Sequence, residues 1–263
     1  MKNVDHDTVE GFGQEWSAFD QSELSEEEGR SIFADYFAIF DFTDLDEGFD
    51  LGCGSGRWAR YVAPRVKRLH CIDPSAAIDV ARRNLADHDN VSFHRADAEH
   101  IPLPDNSQSF GYSLGVLHHI PDPERAMQSA VRKLRPGAQF LVYLYYALET
   151  KPAWFRGVWK VSDVVRKGIS RLPFPVKRPI TSAIAALVYW PLARFGRPTW
   201  PLVEIYRGKS FYTMRTDALD RFGTRLEHRF TRDQIRAMME RCGLTDIRFS
   251  DSKPYWVAVG IKR

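Results

Sequence analysis

The 263-residue chain contains only three cysteines, Cys53, Cys71 and Cys242, and none are spaced as C-x-x-C. An odd number without that spacing gives neither a disulfide framework nor a zinc site, so no metal is expected and a reducing compartment is. No apolar run reaches the roughly 18 residues that a bilayer span requires, and the opening residues Met1 to Asp7 hold no apolar signal core. The expectation is a cytoplasmic protein. Internal repeats and low-complexity tracts are also lacking, which excludes solenoids and disordered arrays.

Charge is abundant but unevenly placed. Residues 1 to 50 carry fifteen Asp or Glu against Lys2 and Arg30, whereas residues 147 to 215 carry thirteen Lys or Arg against Glu149, Asp163 and Glu204. Such asymmetry calls for a partner, inside the chain or outside it.

Ser25 and Glu28 form a capping-box pattern, and Phe33, Tyr36, Phe37 and Phe40 follow at helical spacing, which predicts a helix over 25–40. Ahead of it Phe12, Trp16 and Phe19 mark a weaker amphipathic segment that either packs or closes over a neighbouring site. From Gly48 to about Tyr146 short apolar runs alternate with helical patterns. Strands are read to Leu51 and at 66–72, 91–94, 110–116 and 139–145, with helices from Arg57 and at 75–86 and 123–134. This alternation predicts a doubly wound, mostly parallel α/β sheet with ligands at the strands' carboxyl ends.

After Tyr146 the alternation breaks into a stretch with Trp154, Trp159, Trp190, Trp200 and several prolines, including a short apolar run over 180–193 that reads as a buried or interfacial helix. Regular patterning returns with a helix over 231–242 and strands over 246–250 and 256–261. The resulting organisation is an acidic helical front (1–46), a catalytic domain (47–146 and 216–263) and a basic, Trp-rich inserted cap (147–215).

The strongest local signal is Phe49-Asp50-Leu51-Gly52-Cys53-Gly54-Ser55-Gly56-Arg57, a strand running into three alternate glycines and then a helix. Glycines let a backbone approach a ligand, and the N–H groups that follow meet polar groups. A dinucleotide site would place a third glycine where Arg57 stands, so the spacing argues against a nicotinamide or flavin. Asp73, ending the next strand about twenty residues on, is placed to accept from both hydroxyls of a ribose. Asp97 can accept from an exocyclic amino group. His118 and His119, at a further strand's carboxyl end, are candidate general bases or a structural pair that shapes the pocket.

As an ordered set with Pro102–Ser107, Gly115–Asp122 and Leu134–Gly137, these motifs resemble class I S-adenosylmethionine-dependent methyltransferases. The likeness is greatest to the branch of ubiquinone and menaquinone C-methyltransferases. The resemblance implies a Rossmann-like seven-stranded sheet and S-adenosyl-L-methionine as cofactor. It implies that Gly52, Gly54 and Gly56, with Cys53 between them, border the methionine part on a loop supported by Asp50. Asp73 with Pro74 would hold the ribose, Asp97 and Ala98 would address the adenine, and Val116 and Leu117 would flank the cofactor.

The expected activity is methyl transfer to O, N or C of a small-molecule, glycan or lipid-linked acceptor, with Phe12, Trp16, Tyr145 and Tyr146 as candidate acceptor contacts. Two rivals stay open: a cofactor-binding or regulatory subunit without turnover, and an enzyme that puts the same cofactor to another reaction. Nucleic acid is not an expected partner. Three roles for the basic cap stay open: contact with the acceptor, peripheral contact with the inner face of a membrane, and docking on the acidic front or on a second subunit.

Overall fold

The structure is a computed structural model that describes residues 3–197, 200 and 202–263. Met1 and Lys2 of the acidic front, and Pro198, Thr199 and Pro201 of the cap, lie outside the described residues. The chain divides into two compact units. One holds the chain up to Asp20 with Arg30–Ala147 and Leu226–Arg263, and the other holds Gln21–Gly29 and Leu148–Arg225.

The first unit is built on seven strands: β1 (Glu47–Leu51), β2 (Arg68–Ile72), β3 (Val91–His94), β4 (Gln108–Leu114), β5 (Leu134–Tyr143), β6 (Leu244–Phe249) and β7 (Val257–Lys262). Their spatial order is β3-β2-β1-β4-β5-β7-β6. The first five pair in parallel, and β7 runs antiparallel to both β5 and β6. The fold is thus a Rossmann-like α/β sheet. The order reverses between β1 and β4, and the carboxyl ends of strands at such a reversal leave a crevice.

Side-chain alternation sorts the two faces of the sheet. Leu69, Cys71, Phe110, Tyr112 and Leu141 share one core with residues of α2 (Glu26–Phe37), α3 (Ala59–Val62) and α4 (Ala77–Asn84). Phe49 and Phe140, offset by one position, meet each other on the opposite face at a ring separation of 6.3 Å. On that face Met239 of α11 (Arg232–Arg241) approaches the backbone at Gly260. α5 (Pro123–Lys133) starts at Asp122, whose carboxylate accepts from Arg125 N–H, and its missing donor is the proline at N1. α11 starts at Thr231 with a complete capping box to Gln234.

α1 (His6–Ala18) is capped by Asp5, which accepts from Thr8 N–H at 2.8 Å. Asn3 pins its approach by a reciprocal pair of hydrogen bonds with the Asp122 backbone, at 2.7 and 2.8 Å. The helix crosses α4 at Gly13, where an added Cβ would stand 3.3 Å from Ala76 N.

The second unit contains α6 (Ala153–Ile169), α7 (Phe174–Ile184), a π turn at Ala185–Tyr189, α8 (Trp190–Phe195), α9 (Val203–Tyr206) and α10 (Phe211–Gly223). The apolar run read over 180–193 is thus continuous helix, widened to a π turn over Ala185–Tyr189 just ahead of Pro191, whose ring and missing N–H disturb a regular helix ladder. Ile169, Ala185, Tyr189, Met214, Ala218 and Phe222 form this unit's own core. Arg166 is buried and satisfied, with Asp163 on its Nε at 2.8 Å and the Thr224 carbonyl on a terminal nitrogen at 2.9 Å.

Three sequence expectations are corrected here. The cap does not end at 215, because α10 begins inside it and buries Met214, Ala218 and Phe222 in the cap's own core, which carries the unit to Arg225. The acidic front is not one block, since residues 21–29 belong with the cap unit. The capping box at Ser25 is half formed: Ser25 Oγ accepts from Glu28 N–H, but the Glu28 carboxylate instead accepts from Ser210 N–H and from Thr213 Oγ1 at 2.8 Å. An anion at the open N–H groups of α10 is favoured there by the helix dipole as well.

Candidate active site

The site is assembled from loops at the carboxyl ends of β1, β2, β3 and β4. After β1 the chain turns through Gly52, Gly54 and Gly56, with φ of +77°, +53° and +79°. Gly52 is held to zero side chain twice over, since a Cβ there would fall 2.4 Å from Val116 Cγ2. The Gly52 and Cys53 N–H groups donate to the Ile72 carbonyl at 2.7 and 3.2 Å, tying the loop to the end of β2.

Asp73 supplies the next tie. Its Oδ2 accepts from Gly54 N–H at 3.0 Å, and its Oδ1 accepts from Ser75 N–H at 2.9 Å and Ser75 Oγ at 2.6 Å. A carboxylate offers about four lone-pair directions. Three are used within the chain, so Oδ2 has one left for a further donor, where the sequence reading has two hydroxyls accepted.

Asp50 stands beneath the loop, fully buried. Burial pushes its carboxyl well above the usual range, the charge of Asp73 adds to this, and the nearby Tyr112 hydroxyl opposes it. Asp50 Oδ2 and Ser55 Oγ are buried without a hydrogen-bond partner. Such atoms are rare in folded chains and concentrate where a ligand or bound water completes the network. Cys53 points its thiol inward, and burial raises it too.

Beyond β3 lies a depression of about 640 Å³ lined in part by Pro74, Phe93, Ala96, Asp97 and His100. Pro74 and Asp97, distant in sequence, thus border one hollow. Asp97 also caps its own turn, with Oδ1 accepting from Glu99 N–H at 2.9 Å and lying 2.8 Å from His100 Nδ1. Ala98 is buried beside it.

Beyond β4 the chain passes Val116, which faces Gly52, and enters a short 3-10 turn, Leu117–His119. Leu117 is fully buried, so its side chain serves the core. His118 is fully buried, stacks on Tyr145 at 3.7 Å, and has no hydrogen-bond partner at either ring nitrogen. Burial, with His119, Arg229 and His228 close by, holds it well below the ordinary histidine range, so it is neutral. His119 Nδ1 lies 2.7 Å from the Leu226 carbonyl, which makes it the N–H donor and leaves Nε2 as the basic nitrogen.

α1 reaches the same loops. Phe12 packs against the His119 ring at 5.0 Å, and Trp16 Nε1 lies 3.0 Å from where a Cβ on Gly54 would stand. The structure therefore sets Trp16 against the glycine loop and, from the same helix, brings Phe12 into a ring cluster with His119, His118 and Tyr145. It sends Tyr146 elsewhere: alternation turns its ring away, against Trp256 at 5.4 Å.

The sequence reading missed the site roles of Asn3 and Ser75. Asp73-Pro74-Ser75 carries a legible turn signal, an Asp whose side chain accepts two residues on. The polar run Glu227–Phe230 fits in sequence either a return of the chain to the pocket or a solvated connector, and the structure brings it back beside His118. His228 N–H donates to the His118 carbonyl at 2.8 Å and Phe230 N–H to the Tyr145 carbonyl at 2.8 Å, pairings that only the assembled sheet reveals. Arg229 covers the Tyr145 ring at 5.2 Å and pairs with Glu227 at 2.7 Å.

Residues 49–142 match the family model described as a methyltransferase domain. Over that stretch the chain is similar to methyltransferase domains, and the stretch holds every loop described above except the contributions of α1 and of residues 226–230. The ubiquinone/menaquinone biosynthesis C-methyltransferase of Hahella chejuensis is 33% identical over 110 residues, covering 39% of this chain and 44% of that protein. The 27-O-demethylrifamycin SV methyltransferase of Amycolatopsis mediterranei is 35% identical over 99 residues, covering 36% of each. The chain thus spans less than half the length of these relatives. An O-methyltransferase family protein from Burkholderia thailandensis shares the fold with a TM-score of 0.56 at 13% identity, over 94% of this chain and 59% of that one.

Proposed function

We propose that the protein transfers a methyl group from S-adenosylmethionine to a small-molecule acceptor. The observation that carries this reading is the left-handed glycine loop after β1, beside the reversal of strand order between β1 and β4, tied by Gly54 N–H to Asp73 at the end of β2. The residues present fit the cofactor. Orphaned polar atoms of Asp50 and Ser55 lie under the loop, one lone pair of Asp73 Oδ2 remains for a ribose hydroxyl, and Asp97 and Pro74 line a hollow next to it.

When bound, the sulfonium supplies an electrophilic methyl and a neutral leaving group. The protein's work is alignment and exclusion of water. Trp16 of α1 covers the loop and Phe12 covers the His119 ring, which dries their surroundings. His119 acts as the base that takes the acceptor's proton on Nε2, with the Leu226 carbonyl fixing the tautomer. His118, neutral and stacked behind, holds Tyr145 and shapes the pocket. The relatives' names span a C-methyltransferase of ubiquinone and menaquinone biosynthesis and a methyltransferase of 27-O-demethylrifamycin SV, which supports a small acceptor and leaves the receiving atom to experiment.

The test is methyl transfer from labelled S-adenosylmethionine into fractionated cell extract, comparing His119→Gln with His118→Gln. The expected result is a loss of about a hundredfold or more in turnover for His119→Gln, together with the acid limb of its pH profile, at unchanged cofactor affinity. Equal turnover in His119→Gln and the parent protein would remove the base assignment. Cofactor binding without transfer to any fraction would favour a non-catalytic subunit.

A further inference from the structure

The second unit presents its apolar residues outward. Among the described residues every exposed large hydrophobic side chain lies between Trp154 and Phe211, and none belongs to the sheet unit. On α6, Trp154, Val158, Val161 and Val165 recur at the spacing of one helix face, yet that face is open, with Val161 67% exposed and its neighbour Val164 70%. The helix buries only Arg166, to one side of this stripe, and Ile169, where the stripe reaches the helix end. A second open stripe follows on α7 and the π turn through Val176, Ile180 and Leu187, the last 78% exposed, and Phe195 beyond it is 80% exposed. Isolated exposed apolar residues are normal on a protein surface, but two helical stripes in one unit are not.

The charge around these stripes has one sign. Residues 147 to 215 hold thirteen basic residues and three acidic ones. Of the acidic three, Asp163 is paired with both Arg166 and Lys167, which lowers its carboxyl against the opposing effect of burial. Arg156, Lys160 and Lys167 are exposed on the same helix, round from the stripe beyond Val164. A second copy would bring two positive surfaces together, and a nucleic acid would leave the valine stripes in water. Exposed apolar stripes with Trp among them and an excess of basic side chains around them are the composition of helices lying in a lipid interface.

We propose that the exposed apolar side chains of α6, α7 and the π turn dock on an anionic lipid surface, holding the protein peripherally. They enter the headgroup boundary, and exposed Lys and Arg of the same unit reach the lipid phosphates with their long side chains. Among the described residues no helix is long and apolar enough to cross a membrane, so the contact lies in the interface plane. The proposal does not rest on methyl transfer, since it concerns residues of the second unit alone.

The test is cosedimentation of the full chain with vesicles of phosphatidylcholine and phosphatidylglycerol in equal parts, beside vesicles of phosphatidylcholine alone. Analytical ultracentrifugation without lipid accompanies it. The protein is expected as a monomer that pellets with the anionic vesicles and is released by salt. The triple variant with Arg156, Lys160 and Lys167 each replaced by Glu should bind about a hundredfold more weakly, since each basic side chain near such a surface contributes roughly fivefold. Val161→Glu with Leu187→Glu should lose about tenfold or more. Both variants alter only exposed side chains, and an unchanged thermal midpoint confirms their fold. Failure to pellet, equal binding by the parent protein and both variants, or a stable dimer that is dissociated by Val161→Glu with Leu187→Glu would each overturn the proposal.

Discussion

Asp73 Oδ2 accepts a hydrogen bond from Gly54 N–H at 3.0 Å, so the residue expected to hold a ligand's ribose also holds the loop that the ligand would rest on. Replacement by Ala removes three hydrogen bonds to an ionised acceptor and leaves the Gly54 and Ser75 donors unpaired. The expected cost is about 3 kcal/mol of stability and more than a tenfold loss of S-adenosylmethionine affinity. Asp73→Asn keeps part of the network and should fall between. Urea denaturation and calorimetric titration check both numbers.

Gly52 and Val116 are a coupled pair. A methyl group at Gly52 meets Val116 Cγ2 at 2.4 Å and must also sit at a φ of +77°. Gly52→Ala is expected to destabilise by about 2 kcal/mol and to weaken cofactor binding. Val116→Ala in the same chain should return the steric part but not the backbone part. A double-mutant cycle in denaturant measures the interaction, which is expected to be about 1 kcal/mol and favourable.

His118 makes stability depend on pH. Its folded form resists protonation, while the unfolded side chain titrates near its ordinary value. Below that value the unfolded state binds a proton that the folded state does not, so stability falls as pH falls, by at most about 1.4 kcal/mol per pH unit. Above it His118 contributes no slope. Asp50, raised by burial, acts in the opposite direction, so the comparison has to be between the parent protein and His118→Gln. The difference between their denaturation curves should slope between about pH 7 and 5 and be flat above.

The sheet was legible because most of its strands are buried apolar runs that alternate with helical patterns. The strand over 91–94 falls where periodicity places it, and the helix expected over 123–134 runs from Pro123 to Lys133. The helix expected from Arg57 was not as regular: it lasts from Ala59 to Val62 and tightens to 3-10 at Pro64. Within the site, the glycines and Asp73 announce themselves through backbone demands that few other residues meet. The Leu226 carbonyl on His119 and the Asn3 pin on Asp122 join residues more than a hundred positions apart, and no local pattern encodes them. The end of the cap was misplaced for a different reason: α10 runs across position 215, and no local pattern marks which unit's core a helix joins.

Glu28 illustrates the same limit and gives a further test. Its sequence context assigns it to its own helix, but its carboxylate caps α10 through Ser210 and Thr213. Glu28→Ala is expected to cost about 1 kcal/mol. Hydrogen exchange should speed up at the amides of the first turn of α10, with little change in the amides of α5.

The central claim is that the loop after β1 and Asp73 form a site for S-adenosylmethionine, and calorimetric titration of the full chain with that compound tests it most directly. Saturable one-to-one binding that Asp73→Ala weakens by more than tenfold, with S-adenosylhomocysteine competing, is the expected result. A folded protein that binds neither compound, or that binds both equally well with Asp73 replaced, would contradict it.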